Sequence, residues 1–331
     1  MKRWIPLFSG LCAASALLLG AQAAPQYSVV SRASLATPTG GWSASIGEPH
    51  CDAAGMVYRR PYKAKLGSVI ITRTTPTGES GASVALTAAE IRSFRVADFT
   101  VDNASNVYVL VNGKTAPGVD VLVFSASGAQ TASIPLTVPA SVGSFTGQVI
   151  ERFTSGRFLI LGTQWDTLRN PPGERPFGAV FNASGSYVAS TPANSLWSDS
   201  DSPDRDAANV GLLLAQPIGN LVGVLTLDLR LVEISDSGRL ANVSTLPLPS
   251  SAAGLAPVAF ITEGNRAIVQ FTGQKPNDLQ YGVYDVQTGA LIQGFSAASL
   301  PEQGASFGCY NDDGTITLIG STALYRVGIA N

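Results

Sequence analysis

An all-β fold, a six-bladed β-propeller of four-stranded antiparallel blades, is predicted by three observations. A seven-residue phrase, "DAAGMVY" at 52–58, returns as "DNASNVY" at 102–108. Glycine-marked turns then recur along the chain at a spacing near 50 residues. Finally, the chain starts with one strand too many and stops with one too few, so its two ends complete a blade between them. Composition agrees: 13% charged residues with 34 Gly and 20 Pro is the balance of short strands and many turns.

The first segment, "MKRWIPLFSGLCAASALLLGAQAAP", has the form of a secretory signal peptide. Lys2 and Arg3 give a positive start, an apolar run follows, and Ala21 and Ala23 supply small residues at a cleavage site. Residues 1–23 are therefore assigned to a removed leader and 24–331 to a single propeller domain. The formal charge of −2 becomes two units more negative once Lys2 and Arg3 leave. With no basic tract, nucleic acid and anionic lipid are excluded as partners. No later run is long and apolar enough for a membrane span. A secreted or periplasmic monomer is expected.

The units follow in order. Each has an apolar strand, a turn, and a strand rich in Val, Ile, Leu and Tyr, with the turn at Gly55, Ser105, Gly156, Gly219, Gly264 and Gly314. About twenty to thirty residues later comes a second hairpin, in "SVIITRTTPTG", "VLVFSASG", "GAVFNASG", "LVEISDSG" and "GVYDVQTG". Its Gly (78, 128, 185, 238 or 289) supplies the positive φ that a tight hairpin needs. A fourth strand such as "RLANVSTLPL" ends the unit, and four strands per 50 residues is a propeller blade. The sixth unit stops at its third strand, "ALYRVGIAN". The orphan "QYSVVSRASL" near the N-terminus is expected to supply the fourth and close the ring, removing exposed edges.

After the leader only Cys51 and Cys309 remain, in the innermost strands of the first and sixth units. Their opposite parity relative to the turn Gly aims both into one interface, so a disulfide is expected. Closing so long a loop contributes on the order of 5 kcal/mol in the chain-entropy model. Two buried free thiols, or a zinc site of His50 with both cysteines, are the alternatives.

The pattern D-x-x-(G/S)-x-V-Y followed by V-x-V-F-S-x-x-G resembles the NHL-like six-bladed propellers over essentially the whole mature chain. "GEPHCDAAG" is similar to the first inner strand of the SMP-30/gluconolactonase group, calcium-dependent lactone hydrolases on the same fold. That resemblance implies Glu48 as a Ca²⁺ ligand. No Pro-Asn-Gly or Pro-Asp-Gly segment supplies the group's later ligands, which weighs against the enzyme.

Chemistry is otherwise sparse. His50 is the only histidine, so multi-histidine zinc sites are excluded. Asp199, Asp201, Asp204 and Asp206 alternate in "SDSDSPDRD", but Pro203 breaks the register of an EF-hand, and a solvated loop between the third and fourth blades is the reading. Asp312 and Asp313 read as turn residues. Position nominates Glu48, His50, Arg95, Asp98, Glu151, Arg152, Asp206 and Tyr310 for one mouth of the central channel, as ligand-binding residues or as solvated rim. The functional expectation is an exported binding or interaction module for an unknown protein or small polar ligand, with no catalytic residue and no cofactor. The alternative is the Ca²⁺-dependent hydrolase; a structural role in the cell envelope is the third class.

Overall fold

A computed structural model describes residues 27–36, 48–60, 69–114, 118–166, 173–192, 214–272, 279–296, 302 and 305–329. The leader (1–23) and the acidic stretch 198–206 lie outside the described residues. Strand β1 (Tyr27–Ser34) stands apart at the start. Blade 1 holds β2 (His50–Cys51), β3 (Val57–Arg59), β4 (Val69–Thr74) and β5 (Val84–Ala85). A single helical turn, α1 (Ala88–Ser93), leads on, closed at its start by a Thr87–Glu90 capping box. Blade 2 holds β6 (Phe94–Val101), β7 (Val107–Gly113), β8 (Val119–Phe124) and β9 (Gln130–Pro135). Blade 3 holds β10 (Phe145–Arg152), β11 (Phe158–Asp166), β12 (Gly173–Phe181) and β13 (Tyr187–Ser190). Blade 4 holds β14 (Leu214–Ile218), β15 (Leu221–Leu225), β16 (Arg230–Ile234) and β17 (Leu240–Thr245). Blade 5 holds β18 (Ala256–Glu263), β19 (Arg266–Thr272), β20 (Gln280–Asp285) and β21 (Leu291–Ser296). Blade 6 holds β22 (Ser306–Tyr310), β23 (Thr315–Ile319) and β24 (Ala323–Ile329).

The six sheets are antiparallel and four-stranded, and the sixth is ordered β1-β24-β23-β22. The N-terminal strand thus completes the last blade, pairing from Tyr27↔Ile329 to Ser34↔Ala323. Cys51 and Cys309 form a disulfide between blades 1 and 6, with Cα atoms 5.8 Å apart. Their sulfurs are bonded to each other, which removes the zinc alternative.

The repeated phrase has a physical cause. Asp52 Oδ1 accepts the backbone N–H groups of Ala54 and Met56, and Oδ2 accepts the Tyr58 hydroxyl at 2.7 Å. Asp102 does the same with Ala104, Asn106 and Tyr108. The aspartate holds the turn while the tyrosine ties the second strand back to it. Blade 6 writes the pair as Asn311 and Thr317, joined by a side-chain hydrogen bond. Blade 3 replaces both polar partners with Phe153 and Leu159, each almost wholly buried. All six inner turns pass through the left-handed region, and Ser105 (φ 63°) is the one non-glycine among them. Its hydroxyl donates to Asp52 Oδ2 at 2.6 Å, binding blade 2 to blade 1.

The outer turns have a second need for glycine beyond dihedral freedom. A Cβ on Gly185 would lie 2.2 Å from the Pro135 carbonyl oxygen of blade 2. Gly78, Gly128 and Gly238 meet Ser34, Ser83 and Ser190 in the same way, so each outer turn beds against the last strand of the preceding blade. Six apolar clusters fill the six blade junctions. Junction 2/3 packs Tyr108, Leu110, Ile150, Phe158, Phe177 and Phe181, whereas junction 6/1 holds Leu35, Val57, Cys309, Ile319 and Leu324.

Candidate functional site

Inner strands line the axis, and their register decides what reaches it. Blades 2, 3, 5 and 6 shift register at equivalent points, at Val96/Asp98, Gly147/Val149, Pro257/Ala259 and Phe307/Cys309. Such bulges re-aim the side chains beside them. The effect is to gather Asp98, Thr100 and Glu151 around His50 and Glu48 at the centre of the ring.

Glu48 crosses the axis from blade 1. One oxygen accepts the Phe260 backbone N–H of blade 5 at 2.6 Å, and the other accepts the Gln216 amide of blade 4 at 3.4 Å. Burial holds its carboxyl well above the usual range, despite those two bonds. Asp98 accepts the Ile150 N–H of blade 3 at 3.1 Å and is pushed up by burial to about 6. Glu151 accepts the Thr100 hydroxyl and its neighbour's N–H, and burial pushes it up to about 8. Its second oxygen, Oε2, is sealed without a hydrogen-bond partner and lies 3.8 Å from His50 Nδ1. That separation is too long for a hydrogen bond. Burial also lowers His50 to about 4, and its ring packs edge-on against Phe99 at 4.9 Å. Near pH 7 imidazole and carboxyl face each other as neutral groups, so this is not an ion pair.

The eight residues nominated from position do not meet at one mouth. Glu48, His50, Asp98 and Glu151 form the buried centre. Arg152 lies toward the inner turns, 3.5 Å from Asp102 and with its guanidinium 4.7 Å from the Tyr108 ring centroid. Tyr310 also lies at that end, while Arg95 is at the opposite end of the inner strands. Asp206 falls outside the described residues. Thr100 and Gln216 join the centre unforeseen. Gln216 follows 193–213, outside the described residues, and only the cross-axis register brings it to Glu48.

Two cavities flank this centre. On the turn face, one of about 670 Å³ is framed by residues of five blades, among them Asp52, Asn103, Gln216, Glu263 and Tyr310. On the opposite face, one of about 700 Å³ lies between blades 2 and 3 beside Arg95, Asn112 and Lys114.

Calcium of the kind implied by the sequence resemblance does not fit these residues. Both oxygens of Glu48 are taken by the ring's own donors. Among the described residues no three His, Cys, Asp or Glu side chains converge to hold a metal, whereas Ca²⁺ takes six to eight oxygens. Among those same residues no helix is long and apolar enough to cross a membrane.

No protein-family model and no curated protein matches this chain. Solved structures do. A luciferin-regenerating enzyme aligns with TM-score 0.52 at 12% identity, covering 92% of this chain and 95% of its own. A DUF4623 family protein from Bacteroides eggerthii DSM 20697 aligns with TM-score 0.51 at 9% identity, covering 93% and 77%. A protein of unknown function from Bacteroides caccae aligns with TM-score 0.47 at 11% identity, covering 76% and 81%. Likeness at such identities is a likeness of fold. The two alignments with TM-scores above 0.5 show a shared overall fold and nothing finer.

Proposed function

We propose that the protein is an exported binding module whose rigid ring presents the turn-face cavity to a small polar ligand or a partner protein. One observation carries this reading. The carboxyl groups at the axis each accept donors of the ring itself and lie buried with His50, which leaves the open cavity above them as the place where five blades offer unlike side chains to one ligand. Its volume of about 670 Å³ falls in the range of small-molecule sites. Of the eight residues nominated from sequence, Tyr310 is the one that lines it. Export is supported by the leader-like N-terminus and by the Cys51–Cys309 disulfide, which an oxidising compartment preserves.

Ligand-induced melting shifts test the proposal, using sugars, amino acids, amines and organic acids on the purified chain. At least one class should raise the melting temperature. The gain should vanish in Ala54→Trp, which fills the cavity mouth. Silence across the panel would sink it, and so would Ca²⁺-dependent turnover of a lactone or ester. N-terminal sequencing of the exported protein should begin at Ala24.

A further inference from the structure

Glu263 ends the inner strand of blade 5, and Asp312 sits in the inner turn of blade 6. Both line the turn-face cavity, where the charge of Asp312 acts on the Glu263 carboxyl across the junction. Two neighbouring carboxyl groups repel once both are charged, and among the described residues no basic side chain, the cross-strand Arg266 included, forms an ion pair with either. The cation on that wall, Arg326, is committed elsewhere. Its guanidinium donates to Asp313 at 2.7 Å and to the Thr315 hydroxyl at 2.7 Å. Burial first, and the Asp312 charge second, hold the Glu263 carboxyl above its ordinary value. The pair lacks a cation.

A second observation points into the same space. Tyr310 is only 7% exposed, and its ring belongs to the core of junction 5/6 with Ile261 and Ile316. Its hydroxyl has no hydrogen-bond partner among the described residues. It is not among the sealed polar atoms either, and the residue lines the cavity. A phenol whose ring is packed in the core and whose hydroxyl is left unpaired at a cavity wall is free to bond a ligand there.

Resting on the binding reading above, we propose that this cavity takes its ligand by a protonated amine, anchored by Glu263 and Asp312 with the Tyr310 hydroxyl as third contact. An ammonium group has three N–H donors in a compact head, and two carboxylates with one neutral oxygen match that number. A divalent metal would need more oxygens than the pair supplies. A guanidinium is planar and prefers a single carboxylate gripped through both oxygens. The amine is either a free polyamine-like molecule or the lysine side chain of a partner; the chemistry at the wall is the same.

Isothermal titration of the purified full chain decides it. The probes are cadaverine, acetyl-Gly-Lys-Gly-amide, its norleucine counterpart, glucose and citrate. Cadaverine or the lysine peptide should bind, with the norleucine peptide silent and affinity falling as salt is raised. Glu263→Gln and Asp312→Asn should each weaken binding at least about tenfold, and Tyr310→Phe about threefold. Cadaverine as the tighter probe identifies a free amine; the lysine peptide identifies a partner's side chain. Amine binding indifferent to Glu263→Gln and Asp312→Asn overturns the assignment. Binding of glucose or citrate without the amines overturns the amine class and leaves the binding module standing. No binding by any probe overturns the amine proposal and counts against the module too. The two turn variants keep the test intact should Tyr310→Phe disturb the core.

Discussion

Junction 2/3 and junction 6/1 do the same job with different materials. At 2/3 the blades meet through large side chains, with Tyr108 of blade 2 tilted against Phe158 of blade 3 at 5.5 Å, backed by Phe145 stacked on Phe177 within blade 3 at 4.3 Å. Polar bonds cross there too, from Asn112 to Gly147 and from Thr100 to Glu151. At 6/1 the packing is small aliphatic residues and two cysteines. The strands on its blade 1 side are short as well, two residues in β2 and three in β3. Where apolar burial is thin, a covalent bond and a borrowed strand hold the ring. The difference shows that the ring is repetitive in backbone but not in what binds each blade to the next.

The largest break in that comparison should come from the disulfide. Replacing Cys51 and Cys309 together by alanine should cost about 4–5 kcal/mol in denaturant unfolding, since the bond closes a separation of 258 residues. A reductant should lower the wild-type melting point and leave the double variant unmoved. Equal melting of the two proteins would mean that β1 alone closes the ring.

Core truncations come next. Phe158→Ala at 2/3 should cost about 3–5 kcal/mol and Leu324→Ala at 6/1 about 2–3 kcal/mol. The comparison sharpens if Leu324→Ala costs more once the disulfide is gone, because neighbours at one junction couple. Strict additivity would refute a shared role.

A smaller effect should appear in the pH dependence of junction 2/3. Glu151 is pushed by burial from 4.5 up to about 8. A carboxyl raised on folding contributes most below its unfolded value, and that contribution is lost as pH climbs through the folded one. Its stabilisation should therefore decline between about pH 4.5 and 8, with Asp98 declining earlier, toward about 6. Glu151→Gln keeps the acceptor for Thr100 and carries no charge, so its melting point should overtake wild type by a few degrees above pH 8. Curves that stay parallel from pH 5 to 9 would count against a buried neutral carboxyl. His50 works in the opposite sense: lowered from 6.5 to about 4, it costs stability as pH falls through that window.

The smallest change belongs to junction 1/2. Ser105→Gly relieves a positive φ but gives up the hydroxyl bond to Asp52. The two terms oppose, and a net change within about 0.5 kcal/mol is expected. A loss well above that would make the inter-blade bond the stronger term.

The blades were legible because their punctuation is local. Asp52 with Tyr58 and Asp102 with Tyr108 sit six residues apart, and a turn that needs positive φ writes Gly wherever it occurs. Even so, the sequence marks the outer glycines only as turn residues. Their contact with the preceding blade, such as Gly185 against Pro135, is between residues about 50 apart and leaves no separate mark. The same distance effect hid the candidate site. Glu263 and Asp312 each look like ordinary turn chemistry within their own unit, and their pairing exists only where two blades abut.

Read alone, the chain determined its strands, its turns, the count of blades, the strand that closes the ring and the cysteines that lock it. All of these follow from hydrogen bonds and packing within one repeat, or from parity at the two ends. Only the tertiary structure decided which side chains share the axis. A bulge shifts a strand's facing by one residue, and Glu48 finds its partners 168 and 212 residues away. Neither effect has a local signature, because the free energy that selects them comes from burial at the centre of the closed ring.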